Sequence, residues 1–179
     1  MSIRHPIRKP SQLNKKKPLI CKPMDKAWKE FLQNQWWSTN SIVQPTTEEE
    51  VAIMSRMFEL RDKILAFGGE EVCMPTYEED YDAIMQRGQF LYGDKARLKK
   101  MLPNCCHQNA ARLWRANRKV LYIGTGYALS DDGMWRAHSW AVQPCSVSWR
   151  IWETTTKRLA YFGVIFNEEE SEKFAQRVL

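Results

Sequence analysis

No apolar run in this 179-residue chain approaches the roughly 18 residues that a membrane-spanning helix needs. The N-terminal stretch is basic, carries Pro6, Pro10, Pro18 and Pro23, and lacks the apolar core of a secretory signal. A cytoplasmic protein with no membrane contact is the expectation. Five cysteines (Cys21, Cys73, Cys105, Cys106 and Cys145) are odd in number and irregularly spaced, which is no disulfide framework and suits a reducing compartment. There is no Cys-x-x-Cys pair, so a structural zinc site is poorly supported, and no cofactor is expected. Gly124-Thr125-Gly126 is not a phosphate loop, because no Lys-Ser/Thr follows it and no helix opens after it.

The net charge of +6 also has little to do with the body of the chain. Residues 1–28 hold eight basic residues against the single acid Asp25, and taking these from 27 and 21 leaves 19 basic and 20 acidic residues. The positive charge is an arm. We expect residues 1–24 to be extended or disordered, and residues 25–179 to form one domain. Such an arm fits nucleic acid or an acidic protein partner, or serves only as a solvated tail; it has no aromatics on which bases could stack. The domain itself is well supplied with core, since 44% of the chain is hydrophobic and eight residues are tryptophan.

Along the chain, Asp25 caps a short helix through Ala27, Trp28, Phe31 and Leu32, with Trp36 and Trp37 after it as packing residues. Thr47 and Glu50 form a capping box ahead of a helix carrying Val51, Met54, Phe58 and Leu65, which Gly68-Gly69 stops. Thr76 and Glu79 repeat that pattern before Tyr77, Tyr81, Ile84 and Met85, with Gly88 as the stop. The acids of Glu48–Glu50 and Glu78–Asp80 read as first-turn carboxylates that complement helix dipoles. Asp94 to Met101 reads as another short helix with a basic outer face. β-rich segments then follow at Val120–Tyr127, Trp135–Val142, Trp149–Thr155 and Tyr161–Phe166, with a last helix from Glu168. Gly124-Thr125-Gly126-Tyr127 bends or continues the first of these beside a close backbone neighbour, and Asp131-Asp132-Gly133 and Pro144–Ser148 are turns. Helices first and an antiparallel sheet afterwards make an α+β domain.

Between the two lies Pro103-Asn104-Cys105-Cys106-His107-Gln108-Asn109-Ala110. Asn104 is the expected N-cap of a helix whose Cys106, Ala110, Leu113 and Trp114 share one face. A thiol in a first turn lies at the positive end of the helix dipole, which favours the nucleophilic thiolate. The alternative is a small buried hydrophobe, the ordinary state of a free cysteine. His138 and Glu153 lie on adjacent antiparallel strands, where pairing can set them side by side over the cysteine helix. Singly, His138 could be a hydrogen-bonded core residue and Glu153 a salt-bridge partner of Arg150 or Arg158. Together they are the set that nucleophilic catalysis needs: thiol, base, and a carboxylate that orients the base.

Residues 104–156 resemble the core of the transglutaminase-like superfamily, the papain-like cysteine enzymes with the order Cys, His, Asp. The resemblance rests on four pieces in register: Cys106 with Ala110, Gly126-Tyr127, His138-Ser139-Trp140, and Trp149 through Glu153-Thr154-Thr155. It departs from the family where Glu153 replaces aspartate and Cys105 replaces a glycine, and no upstream side chain matches an oxyanion donor, which leaves the Cys106 backbone N–H. The resemblance implies a papain-like fold and a cysteine protease or amidase. Its catalytic residues would be Cys106, His138 and Glu153, acting on an amide bond of a protein or peptide substrate. Trp135, Trp140, Trp149 and Tyr127 are then expected either to line a substrate groove or to pack under the sheet. Deamidation of a glutamine side chain would use the same chemistry. A binding module of the same fold, working through the basic arm, is the non-enzymatic alternative.

Overall fold

A computed structural model describes residues 19–31, 47–75, 77–146 and 148–179. The basic residues up to Lys17, together with Leu32, Trp36, Trp37 and Thr76, lie outside this description. Asp25 caps a short helix over residues 26–31, its carboxylate accepting from the Trp28 N–H at 3.0 Å. Four longer helices follow among the described residues: α1 (Glu48–Leu65), α2 (Tyr81–Arg87), α3 (Cys106–Arg115) and α4 (Glu168–Val178). The Thr47–Glu50 capping box forms at α1, and Asn167 with Glu170 makes a second one at α4.

Among the described residues seven strands make one sheet: β1 (Glu71–Cys73), β2 (Gln89–Tyr92), β3 (Arg97–Leu98), β4 (Tyr122–Leu129), β5 (Met134–Pro144), β6 (Trp149–Glu153) and β7 (Ala160–Ile165). The order is β2-β7-β4-β5-β6-β3, antiparallel except for β3 beside β6, with β1 added in parallel to β5. The fold is thus mixed α+β, with several helices packed against a curled, mainly antiparallel sheet.

The curl follows from chain length. The two edge strands of the main path, β2 and β3, are joined by residues 93–96 alone. Six flat strands would separate those edges by about 24 Å at a spacing of about 4.8 Å, whereas the steps from Tyr92 to Arg97 reach about 17 Å. The sheet has to bend until its edges approach. Its two faces then carry separate cores. One takes the helices: Leu60, Ile64, Ala110, Leu113, Trp114 and Phe174 pack with Ile123, Tyr127, Trp135 and Phe162. The other holds Ala96 from the β2–β3 link with Ala128, Trp140, Val142, Ile151 and Tyr161.

Three expectations need correction. Residues 94–101 are not helical, because the chain there pairs with β6 instead: Lys99 N–H donates to Glu153 O and Met101 N–H to Thr154 O, both at 2.8 Å. Helix α2 starts at Tyr81, since Glu78 folds its carboxylate onto the Asp80 N–H at 3.2 Å and Asp80 is the cap. Cys105 rather than Asn104 is the N-cap of α3, and Asn104 takes a positive φ of 57°, which asparagine tolerates better than most residues. Residues 19–22 also belong to the packed body, with Leu19 and Cys21 against the main core and the Lys22 N–H donating to Asp131 O at 2.7 Å.

Gly126 has the expected close neighbour. It pairs with Gly163 on β7, with φ at 149°, and a Cβ there would overlap the Phe162 carbonyl and stand 2.6 Å from Gly163 Cα. Gly126→Ala is therefore expected to destabilise the fold by roughly 2–3 kcal/mol, read as a lowered denaturant midpoint at unchanged slope. A midpoint within error of wild type would show that β4 and β7 can separate at this point without cost.

Candidate active site

Strand β5 positions the site. Along one edge it pairs with β4 from Trp135 to Val142. Along the other it meets β1 at residues 134–136 and β6 at residues 141–144, so residues 137–140 have no strand partner on that edge among the described residues. Ala137, in this notch, is exposed. His138 and Trp140 face the core inside the curl, and Ser139 faces the helices. The first turn of α3 therefore stands at the open edge of β5, where it meets side chains from both faces. Asn109 fastens that turn by donating from Nδ2 to Leu102 O at 2.7 Å.

His138 and Glu153 are joined directly, Nε2 to Oε2 at 2.9 Å, and are 3% and 0% exposed. Glu153 is bonded at both oxygens. Oε1 accepts from the Thr154 N–H, the Thr155 N–H and the Thr155 hydroxyl at 2.8, 2.8 and 3.0 Å, while Oε2 also accepts from the Tyr161 hydroxyl at 2.8 Å. These donors explain how a buried carboxylate stays charged: burial pushes its pKa up, but the bonds to His138, Thr155 and Tyr161 bring it down to about 2. Glu153 makes no bond to Arg150 or Arg158. His138 is also pushed down by burial, and its interactions with Cys106 and Glu153 more than reverse this, to about 9. Since Nε2 serves Glu153, Nδ1 is the ring nitrogen left for the thiol.

Cys106 is partly exposed. Burial raises its pKa, but hydrogen bonding and charge from His107 and His138 outweigh this and lower it to about 5. The two shifts run in opposite directions, toward the thiolate at Cys106 and toward the imidazolium at His138. The Cys106 N–H lies in the first turn of α3, where a backbone donor has no acceptor within the helix.

The expected groove residues do not line an opening. Trp135, Trp140 and Tyr127 are all 0% exposed. Trp135 donates from Nε1 to Gly68 O at 2.7 Å, Tyr127 donates its hydroxyl to Glu78 at 2.9 Å, and Trp140 packs on Tyr161 with ring centroids 4.9 Å apart. Each is held in the core, and Trp149 is half-buried against Tyr122. Sequence reasoning gave no site role to Tyr161, to His107 beside the candidate thiol, or to Glu78, which stands before helix α2 rather than in its first turn. No cluster of His, Cys, Asp and Glu suited to a metal ion occurs among the described residues. Comparison of the chain with protein-family models, curated proteins and solved structures gives no match.

The charged pair has a defined pH range. Glu153 contributes stability fully above its ordinary 4.5 and loses it as pH falls through about 2. His138 contributes fully below its ordinary 6.5 and loses it as pH rises through about 9. Glu153→Gln keeps the shape and removes the charge, so the His138 ring, followed by NMR, is expected to titrate about one pH unit or more below wild type. An unmoved midpoint would mean that Glu153 does not hold the proton on His138.

Proposed function

We propose that this protein is a cysteine-dependent acyl-transfer hydrolase acting on an amide bond, of the papain-like, transglutaminase-like type. The observation that carries this reading is a partly exposed first-turn thiol, its pKa lowered by His107 and by a buried His138 that is hydrogen-bonded to a fully buried carboxylate. Cys106 is the nucleophile, His138 the acid and base, and Glu153 the group that sets the imidazole's tautomer and stabilises its charge. The Cys106 thiolate adds to the amide carbonyl carbon, and the negative charge moves to the carbonyl oxygen near the free Cys106 N–H. As the C–N bond breaks, His138 passes its proton to the leaving nitrogen, leaving a thioester on Cys106. Water then attacks the thioester with His138 taking its proton, and the carboxylic acid leaves as the thiolate returns. The exposed notch at Ala137 is where an extended peptide or a glutamine side chain would approach.

Two probes test this. With p-nitrophenyl acetate, mass spectrometry is expected to find one acetyl group on Cys106, with none after Cys106→Ala. The acetylation rate should rise with pH through about 5 and then stay level, because p-nitrophenolate leaves without a proton. An amide library read by peptide mass spectrometry is expected to give a bell-shaped profile, falling again through about 9 as His138 loses the proton that the amine needs. His138→Ala should lower amide turnover by about 10²–10⁴-fold. Acetylation spread over the five cysteines, with no preference for Cys106, would refute the enzyme reading.

A further inference from the structure

His107 has a setting of its own that the proposed chemistry leaves unused. Its Nδ1 lies 2.7 Å from Ser139 Oγ, and Ser139 Oγ lies 2.9 Å from Thr125 Oγ1. Ser139 is fully buried and Thr125 nearly so. The direction of this hydroxyl chain follows from counting protons. If Thr125 donates to Ser139 and Ser139 to His107 Nδ1, each hydroxyl proton has an acceptor. If Nδ1–H donates to Ser139 and Ser139 to Thr125, the buried Thr125 hydroxyl proton has no acceptor among the described residues. The first arrangement places the His107 proton on Nε2. The ring is also fixed from the helix side, with Phe174 of α4 at 6.1 Å between centroids.

We propose that His107 is a positioning residue for the candidate nucleophile: the Thr125–Ser139 relay fixes it as the Nε2–H tautomer, and that N–H donates to the Cys106 sulfur. The inference rests on the reading of Cys106 as a nucleophile. It divides the work between two imidazoles, with His107 holding negative charge on sulfur while His138 moves protons. An N–H held there meets the sulfur's charge twice, before attack on the carbonyl and again as the thiolate leaves the thioester. The groups that face this pair agree with the assignment. A hydrogen bond from the His107 ring acts on the Cys106 thiol beside the hydrogen bond and charge from His138. Glu78, from the segment before α2, is the acid that faces His107; burial raises its pKa, and it takes the Tyr127 hydroxyl. From β5 the facing groups are His138 and the Ser139 hydroxyl, and from α4 the apolar Phe174.

The test follows the pH dependence of Cys106 alkylation, resolved by mass spectrometry in the full chain, together with the ¹⁵N chemical shifts of the His107 ring. Wild type is expected to show the Nε2–H tautomer. His107→Ala should raise the Cys106 midpoint by about one pH unit or more. His107→Gln, whose amide nitrogen can stand near the place of Nε2, should restore much of that shift, and His107→Asn, whose amide reaches only to Nδ1, should not. Ser139→Ala and Thr125→Val should weaken the tautomer preference and raise the midpoint in part, and in His138→Ala the midpoint should stay below the ordinary thiol value of about 8.5. Circular dichroism checks that each variant folds, and the ring shifts of wild type decide the tautomer should a variant fail. An Nδ1–H tautomer in wild type, an unmoved midpoint in folded His107→Ala, or equal rescue by Asn and Gln would each overturn the role of His107. A wild-type midpoint near that of an ordinary thiol would instead remove the enzyme reading itself, so the two failures are distinct.

Discussion

The closure of the sheet through residues 93–96 is the constraint on which the rest of the arrangement depends. Because this link is short, β3 is delivered to the edge of β6, and the chain after it continues along the end of that strand through Lys99 and Met101. Only a few residues then remain before α3 begins at Cys106, with Asn109 tying its first turn to Leu102. The helix start is thus set beside the strand that ends in Glu153 by backbone pairing, without help from the charged groups. The same curl creates an interior in which Trp140 and Tyr161 lie against His138, the Tyr161 hydroxyl meets Glu153, and both charged groups are closed off from solvent.

Exclusion of water makes the charges there consequential. A carboxylate with no exposed surface would ordinarily take up a proton, and Glu153 escapes this because donors at its two oxygens outweigh the loss of solvent. Those donors come from two sources with different roles. The Thr154 and Thr155 amides are local, presented by the turn in which β6 ends, and the Tyr161 hydroxyl crosses from β7. With its charge secured on both sides, Glu153 can hold a proton on His138, and His138 can in turn act on a thiol at the open edge of β5. The partly exposed end of this chain of interactions is Cys106.

Much of this was legible from residue patterns, and the exceptions share one physical cause. The capping box at Thr47, the glycine beside a close neighbour at Gly126, the α+β layout and the joining of His138 to Glu153 all rest on local signals or on the alternation of strands. Residues 94–101 looked helical because local composition cannot reveal pairing with β6, whose strand lies far along the sequence. The same limit applied to Trp135, Trp140 and Tyr127. Their aromatic character fitted a groove as well as a core, and only the curl of the sheet determines that they are enclosed. His107 was one of three histidines in the chain and adjacent to the thiol, yet its relation to Ser139 needs the register of β5 against the helix.

The glutamate at position 153 brings these strands of argument together. An aspartate, one methylene shorter, would draw its carboxylate back toward β6, and a single reach from the backbone would have to serve both the threonine amides and the imidazole. With glutamate, Oε1 folds back onto its own Thr154 and Thr155 amides while Oε2 extends to His138 and meets the Tyr161 hydroxyl from the far strand. The longer side chain has more rotamers to lose, and five hydrogen-bond partners are the means by which it is confined to one. Glu153 is therefore a side chain that the surrounding residues are built to hold, and Tyr161 is the partner that makes its second oxygen rigid enough to orient an imidazole.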